Sequence, residues 1–246
     1  MATFFTISWF IAALMVILAM ALQALTGFGS ALILVPLLVL IYDTHTAIEL
    51  TMIIAFYSLA LLSLRVRKEI LIPMVSRLFL GSIVGIFCGA YAFIFFEATW
   101  LKIIIALTTL VFSLLLYLNL VPNRSTGFLA ETMVGMASGF LGTSVGMPGP
   151  PVVLFLNYKG LPKEHFRATV SAYFSLVYLV SIIVLVSKQV LNLQIIIIAV
   201  SLLPFALLGN LMGFLIFPRI SQDFFQRGIP ILVAFLAVYS LVTTFF

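Results

Sequence analysis

The residues able to do chemistry gather at two glycine-rich interruptions. The first is Gly27-Phe28-Gly29-Ser30, preceded by Gln23 and Thr26, and the second runs from Gly142-Thr143-Ser144 through Gly146 to Gly149. Each precedes a short apolar run, which predicts a helix that stops within apolar surroundings and then restarts. A restarting helix leaves its first N–H groups unpaired and presents the positive end of its dipole, which suits an anion. Gln23, Thr26, Ser30, Thr143 and Ser144 add uncharged groups that hydrogen-bond an oxyanion without the penalty of an unpaired buried charge. The plainer alternative is that these glycines and hydroxyls only cap and turn helices.

Charged candidates are few. Arg167 opens an apolar segment as Arg167-Ala168-Thr169 after the second interruption, where its fork suits a carboxylate or sulfonate. For Arg167 and for Arg77, near the start of another segment, the plainer reading is a side chain snorkelling to the headgroups. Thr169, and Tyr57 and Ser58 with Ser175 in matching segments, complete the candidate site. Glu131 and His165 are candidates for a coupled proton but fall near segment ends, and His45 stands between Asp43 and Glu49 in what reads as a solvated loop.

Gly142-Thr143-Ser144-Val145-Gly146 also spells the G-x-S-x-G pattern of serine hydrolases. That elbow needs a preceding strand and a histidine within reach, and the sequence offers neither near Ser144, so an intramembrane serine protease is the remote alternative. There is no phosphate-binding loop, H-E-x-x-H or C-x-x-C, so no cofactor, metal or ATP-driven step is implied. The single cysteine, Cys88, reads as a small packing residue.

These candidates must be held by membrane helices. Of the 246 residues, 64% are hydrophobic and 8% charged, whereas a soluble domain carries about 25% charged residues. Ten apolar segments follow: roughly 6–25, 31–41, 48–64, 75–96, 101–121, 128–141, 152–157, 168–186, 195–217 and 229–246. A span takes roughly 20 apolar residues, so the second and seventh are too short to cross. They occupy matching places in the two halves, the arrangement expected of a transporter built from repeats. Ala55-Phe56-Tyr57-Ser58-Leu59 echoes Ala172-Tyr173-Phe174-Ser175-Leu176, and Gly85 to Gly89 echoes Gly209 to Gly213. Three echoes in one order, counting the glycine interruptions, indicate duplication, with repeats at 1–122 and 123–246 in a single membrane domain.

Basic residues set the orientation. Arg65, Arg67, Lys68 and Arg77 place the loop between the third and fourth segments in the cytoplasm, and Arg124, Lys159, Lys163, Arg167, Arg219 and Arg227 fall inside on the same count. That count holds if segments six and seven form a re-entrant hairpin or if both cross. Each half then makes an odd number of net crossings, so the repeats are inverted and both chain ends lie outside the cytoplasm. The first segment lacks the basic flank of a signal peptide and reads as a retained helix. The +5 net charge serves lipid orientation rather than nucleic acid. Glycines at 81, 85 and 89, and at 135 and 139, predict close helix packing, and Pro73, Pro204 and Pro230 mark helix starts or kinks.

With these features the sequence resembles the TauE/SafE family of bacterial membrane permeases. The likeness rests on Gly27-Phe28-Gly29-Ser30-Ala31 leading to Pro36-Leu37, on Ser138-Gly139-Phe140-Leu141-Gly142 through Gly146 and Gly149, and on Arg167-Ala168-Thr169-Val170-Ser171. It departs from the pattern at Ser30 and Ala31, where further glycines are common, and in the prolines at 148, 150 and 151. The resemblance implies an all-α inner-membrane permease that exports a small anion such as sulfoacetate or sulfite by alternating access. An uptake permease or a channel for the same anions is the alternative. The partners expected are that anion and the bilayer, with a homodimer compatible with the chain.

Overall fold

The computed structural model describes residues 7–117 and 127–216. Among these residues the regular structure is helical: α1 (Ile7–Thr26), α2 (Ser30–Leu38), α3 (Thr44–Arg65), α4 (Ile72–Phe95), α5 (Ala98–Tyr117), α6 (Phe128–Ser144), α7 (Gly149–Tyr158), α8 (Lys163–Ser187) and α9 (Leu193–Ile216). They correspond one for one to the first nine apolar segments. The tenth segment, Pro230, Arg124, Arg219, Arg227 and both chain ends lie outside the described residues.

Local chemistry sets the helix boundaries. Asp43 caps α3 by accepting the Thr46 N–H at 3.1 Å. Pro73 sits in the first turn of α4, where its missing N–H leaves no bond broken. Pro204 lies within α9 and Pro36 within α2. Helices α1, α3, α4, α8 and α9 are long and apolar enough to cross a membrane. With nine and ten residues, α2 and α7 reach about 15 Å against a hydrocarbon core of about 30 Å.

Small residues let helices close on one another. A β-carbon at Gly81, Gly85 or Gly89 of α4 would strike the α6 backbone at Thr132, Met136 or Phe140, and Gly135 and Gly139 of α6 press in turn on Leu78 and Ser82. The opposite face of α4 carries the exposed side chains of Leu80, Val84, Phe87 and Tyr91, an apolar surface suited to lipid. Cys88 is exposed as well, so the expectation of a packing role is corrected. The neighbouring glycines take up the packing.

Gly209 and Gly213 of α9 likewise press on the α1 backbone at Ile17 and Ala21. The pairings map onto each other when the halves of the chain are exchanged. Helix α1 packs on α9 as α6 packs on α4, α3 meets α9 as α8 meets α4, and α3 meets α8.

Candidate functional site

The first break is built from its own side chains. Gly27 and Gly29 hold φ of 81° and 95°, a left-handed conformation that glycine adopts without steric cost. Gly27 also has no room for a side chain, because its α-carbon lies against the main chain of Arg167 on α8. Thr26 Oγ1 receives the Phe28 N–H at 3.0 Å and has the Leu22 and Phe28 carbonyl oxygens to donate to. Across the break the Ser30 hydroxyl donates to Gln23 Oε1. The N-cap of α2 is Gly29, which supplies no side-chain bond.

At the second break the rest of the protein satisfies the freed carbonyls. Tyr178 donates to Gly146 O at 2.7 Å and Ser138 to Pro148 O at 2.5 Å, while the Met147 N–H reaches Leu141 O at 3.0 Å. Gly146 holds φ of 71°. The two restarting helices are not equivalent as anion seats. Helix α7 opens Gly149-Pro150-Pro151, and the prolines carry no N–H, so the donor-rich terminus is that of α2.

A small cavity lies between the breaks, walled by Gln23, Phe28, Gly29 and Ser30 on one side and by Met147, Pro148 and Gly149 on the other, with Leu59, Phe174 and Tyr178 between them. Its volume is about 10 Å³, room for about one water. Gln23 is 1% exposed, and its Nε2 has no hydrogen-bond partner. With the carboxamide oxygen engaged by Ser30, that NH₂ is a buried donor in want of an acceptor.

Gln23, Gly29, Ser30 and Gly149 thus line one cavity, and Thr26, Gly27 and Gly146 shape its two breaks. The other expected site residues sit elsewhere. Gly142 packs on Val177 and Pro148. Thr143 bonds Ser181 at 2.7 Å, and Ser144 donates to Phe140 O at 2.7 Å within its own helix. Ser175 donates to Ala172 O, and Thr169 accepts the Leu71 N–H at 3.2 Å. Ser58 on α3 donates to Asn210 on α9 at 2.6 Å, and Tyr57 is half-buried on α3. Arg167 is 6% exposed and rests over the Phe214 ring, against the first break rather than the second.

Two expectations about charge change. Glu131 stands in the first turn of α6, near the segment end as expected, but is buried there and paired with Lys159 at 2.6 Å and Arg77 at 3.4 Å. Glu49 lies inside α3 at 1% exposure instead of in a loop, because Asp43 starts that helix six residues earlier. His45 packs edge-on against Phe93, with Nε2 3.2 Å from the Phe93 carbonyl, so it is not a free solvated side chain. His165 faces the 3₁₀ turn Arg67–Glu69, its Nδ1 2.8 Å from Glu69 O. Asn210, buried with Nδ2 unpartnered, was not foreseen. Its sequence signal is a carboxamide set between Gly209 and Gly213 in a largely apolar helix.

Five helices long and apolar enough to cross a membrane, with two breaks packed among them, define a multi-pass membrane protein. The family model described as sulfite exporter TauE/SafE matches residues 12–240, and the chain belongs to that family. No curated protein and no solved structure matches it.

Proposed function

We propose that the protein is a secondary permease that exports a small organic or sulfur-containing anion, such as sulfoacetate or sulfite, by alternating access at the cavity between the breaks. The observation that carries this reading is Gln23: a buried carboxamide whose NH₂ lacks a partner, in a cavity it shares with the uncapped start of α2. An anion oxygen there would pair with Gln23 Nε2 and with N–H groups at the start of α2, in the favourable end of the helix dipole. Arg167, packed on Gly27, adds positive charge behind the break.

A cavity that admits about one water corresponds to a closed state, so binding requires the breaks to part. The matched pairings α1 with α9 and α6 with α4 support inverted repeats that rock about the cavity. The membrane potential, negative inside, favours outward movement of an anion. Purified protein in liposomes tests the reading with sulfite, sulfoacetate, taurine, lactate and sulfate. Saturable flux of one of these anions, abolished by Gln23→Leu and by Gly27→Leu and reduced by Arg167→Ala, is expected. Flux of none of them sinks the reading, and non-saturating conductance makes the protein a channel.

A further inference from the structure

Phe214 of α9 carries two arginines on its ring: Arg65 Cζ lies 4.5 Å from the ring centroid and Arg167 Cζ 5.3 Å. The two guanidinium carbons are therefore within about 10 Å of each other. They come from different helices, the last residue of α3 and the second turn of α8, which pack together beside α9. No acidic group pairs with Arg65 among the described residues, although the molecule has buried acids elsewhere. The Arg65 fork is therefore open to an anion, which it holds through charge-assisted bonds.

A second polar layer lies deeper on the same two helices. Asn210 precedes Phe214 by four residues on α9, and Ser58 precedes Arg65 by seven on α3, so each pair shares a helix face. Ser58 donates to Asn210 Oδ1 at 2.6 Å, and Asn210 Nδ2 is buried without a partner. The arrangement repeats that of Gln23, whose oxygen is likewise occupied by a serine and whose NH₂ is likewise left over. The next residue along α3, Leu59, lines the central cavity.

We propose that Arg65, seated on Phe214, is an anion-capture station at the Lys/Arg-rich mouth of the protein, and that Asn210, held by Ser58, is the step from this station to the central cavity. The inference rests on the permease reading above and adds to it a direction of approach. The aromatic ring holds the Arg65 guanidinium in place, and its fork binds a carboxylate or sulfonate. The Asn210 NH₂ then accepts the anion after it has shed water, before it reaches Gln23.

The test measures flux in sealed vesicles of both orientations, using whichever of sulfite, sulfoacetate, taurine, lactate or sulfate the wild type transports. Arg65→Gln is expected to raise KM about tenfold for anion presented on the Arg65 face, with KM from the opposite face and kcat changed less than twofold. A merely structural arginine would alter both faces together or lower the melting temperature. Asn210→Leu is expected to cut kcat at least tenfold from both faces, and Ser58→Ala, a milder change, to cut it severalfold if the leucine variant does not fold. Unchanged KM on the Arg65 face in Arg65→Gln, or unchanged kcat in both inner-layer variants, overturns the inference while leaving the central site intact. Loss of flux in Gln23→Leu alone separates the central reading from this one, and a wild type that moves none of these anions overturns both.

Discussion

Gly27 on the first break lies directly against the main chain of Arg167, so that a β-carbon at position 27 would stand 2.8 Å from the Arg167 carbonyl oxygen and 3.0 Å from its Cα. The contact joins the start of α8, in the second half of the chain, to the cavity wall formed by the first half. Gly27→Ala therefore meets both a left-handed φ and a backbone clash. The two together cost about 2 kcal/mol or more. Thermal unfolding of the purified variant in detergent is expected to show a melting temperature several degrees lower, with flux reduced. An unchanged melting temperature would mean that α8 readily moves off the break.

Gln23 and Ser30 satisfy each other across the break and leave one NH₂ without a partner. Gln23→Leu alone removes that donor and also strands the Ser30 hydroxyl. Adding Ser30→Ala removes the stranded group, and replacing both members of a buried polar pair is nearly neutral for stability. The double variant is expected to melt within a degree or two of wild type while losing anion flux. If flux survives in a stable double variant, the carboxamide is structural.

The helical framework was legible because the hydropathy pattern of each half is long and interrupted at the same places. Even the shortness of α2 and α7 could be read from their run lengths. The fate of individual hydroxyls could not. Thr143 and Ser144 stand beside the second break in sequence, but helical back-bonding and a partner on α8 consume them. Asn210 and Ser58 are 152 positions apart, and only the packing of α3 on α9 makes them one unit. Asp43, His45 and Glu49 read as a solvated loop in the sequence, whereas the Asp43 cap starts α3 before Glu49.

Glu131 is 2% exposed and ties the two arms of the α6–α7 hairpin through Lys159 at 2.6 Å. Removing one member of a buried ion pair leaves the other charge uncompensated, at about 3–5 kcal/mol. Here Arg77, at 3.4 Å with its side chain half exposed, stays near Glu131 and softens that loss. Lys159→Met is thus expected to destabilise the protein by about 2–3 kcal/mol. Adding Glu131→Gln should restore most of that loss, a coupling read from the melting temperatures of the single and double variants. Purely additive effects would show that the pair makes no net bond.

Asp43 provides a pH-dependent contribution at the start of α3. Partial burial pushes its carboxyl up, but hydrogen bonds from Thr46 and the nearby His45 more than offset this, so it titrates below its ordinary value. A lowered value means the folded state favours the ionised cap. That stabilisation is complete above the ordinary carboxylate range and is lost as pH falls through the lowered value. Asp43→Ala is expected to cost about 1 kcal/mol at neutral pH, with the gap to wild type narrowing as the medium is acidified. Asp43→Asn keeps a capping oxygen but has no proton to gain, so its stability should not show this component of the pH dependence. Melting temperatures of the three proteins across an acid titration decide the matter, and a wild-type-to-alanine gap that stays constant after Asp43 is protonated would assign the cap to geometry alone.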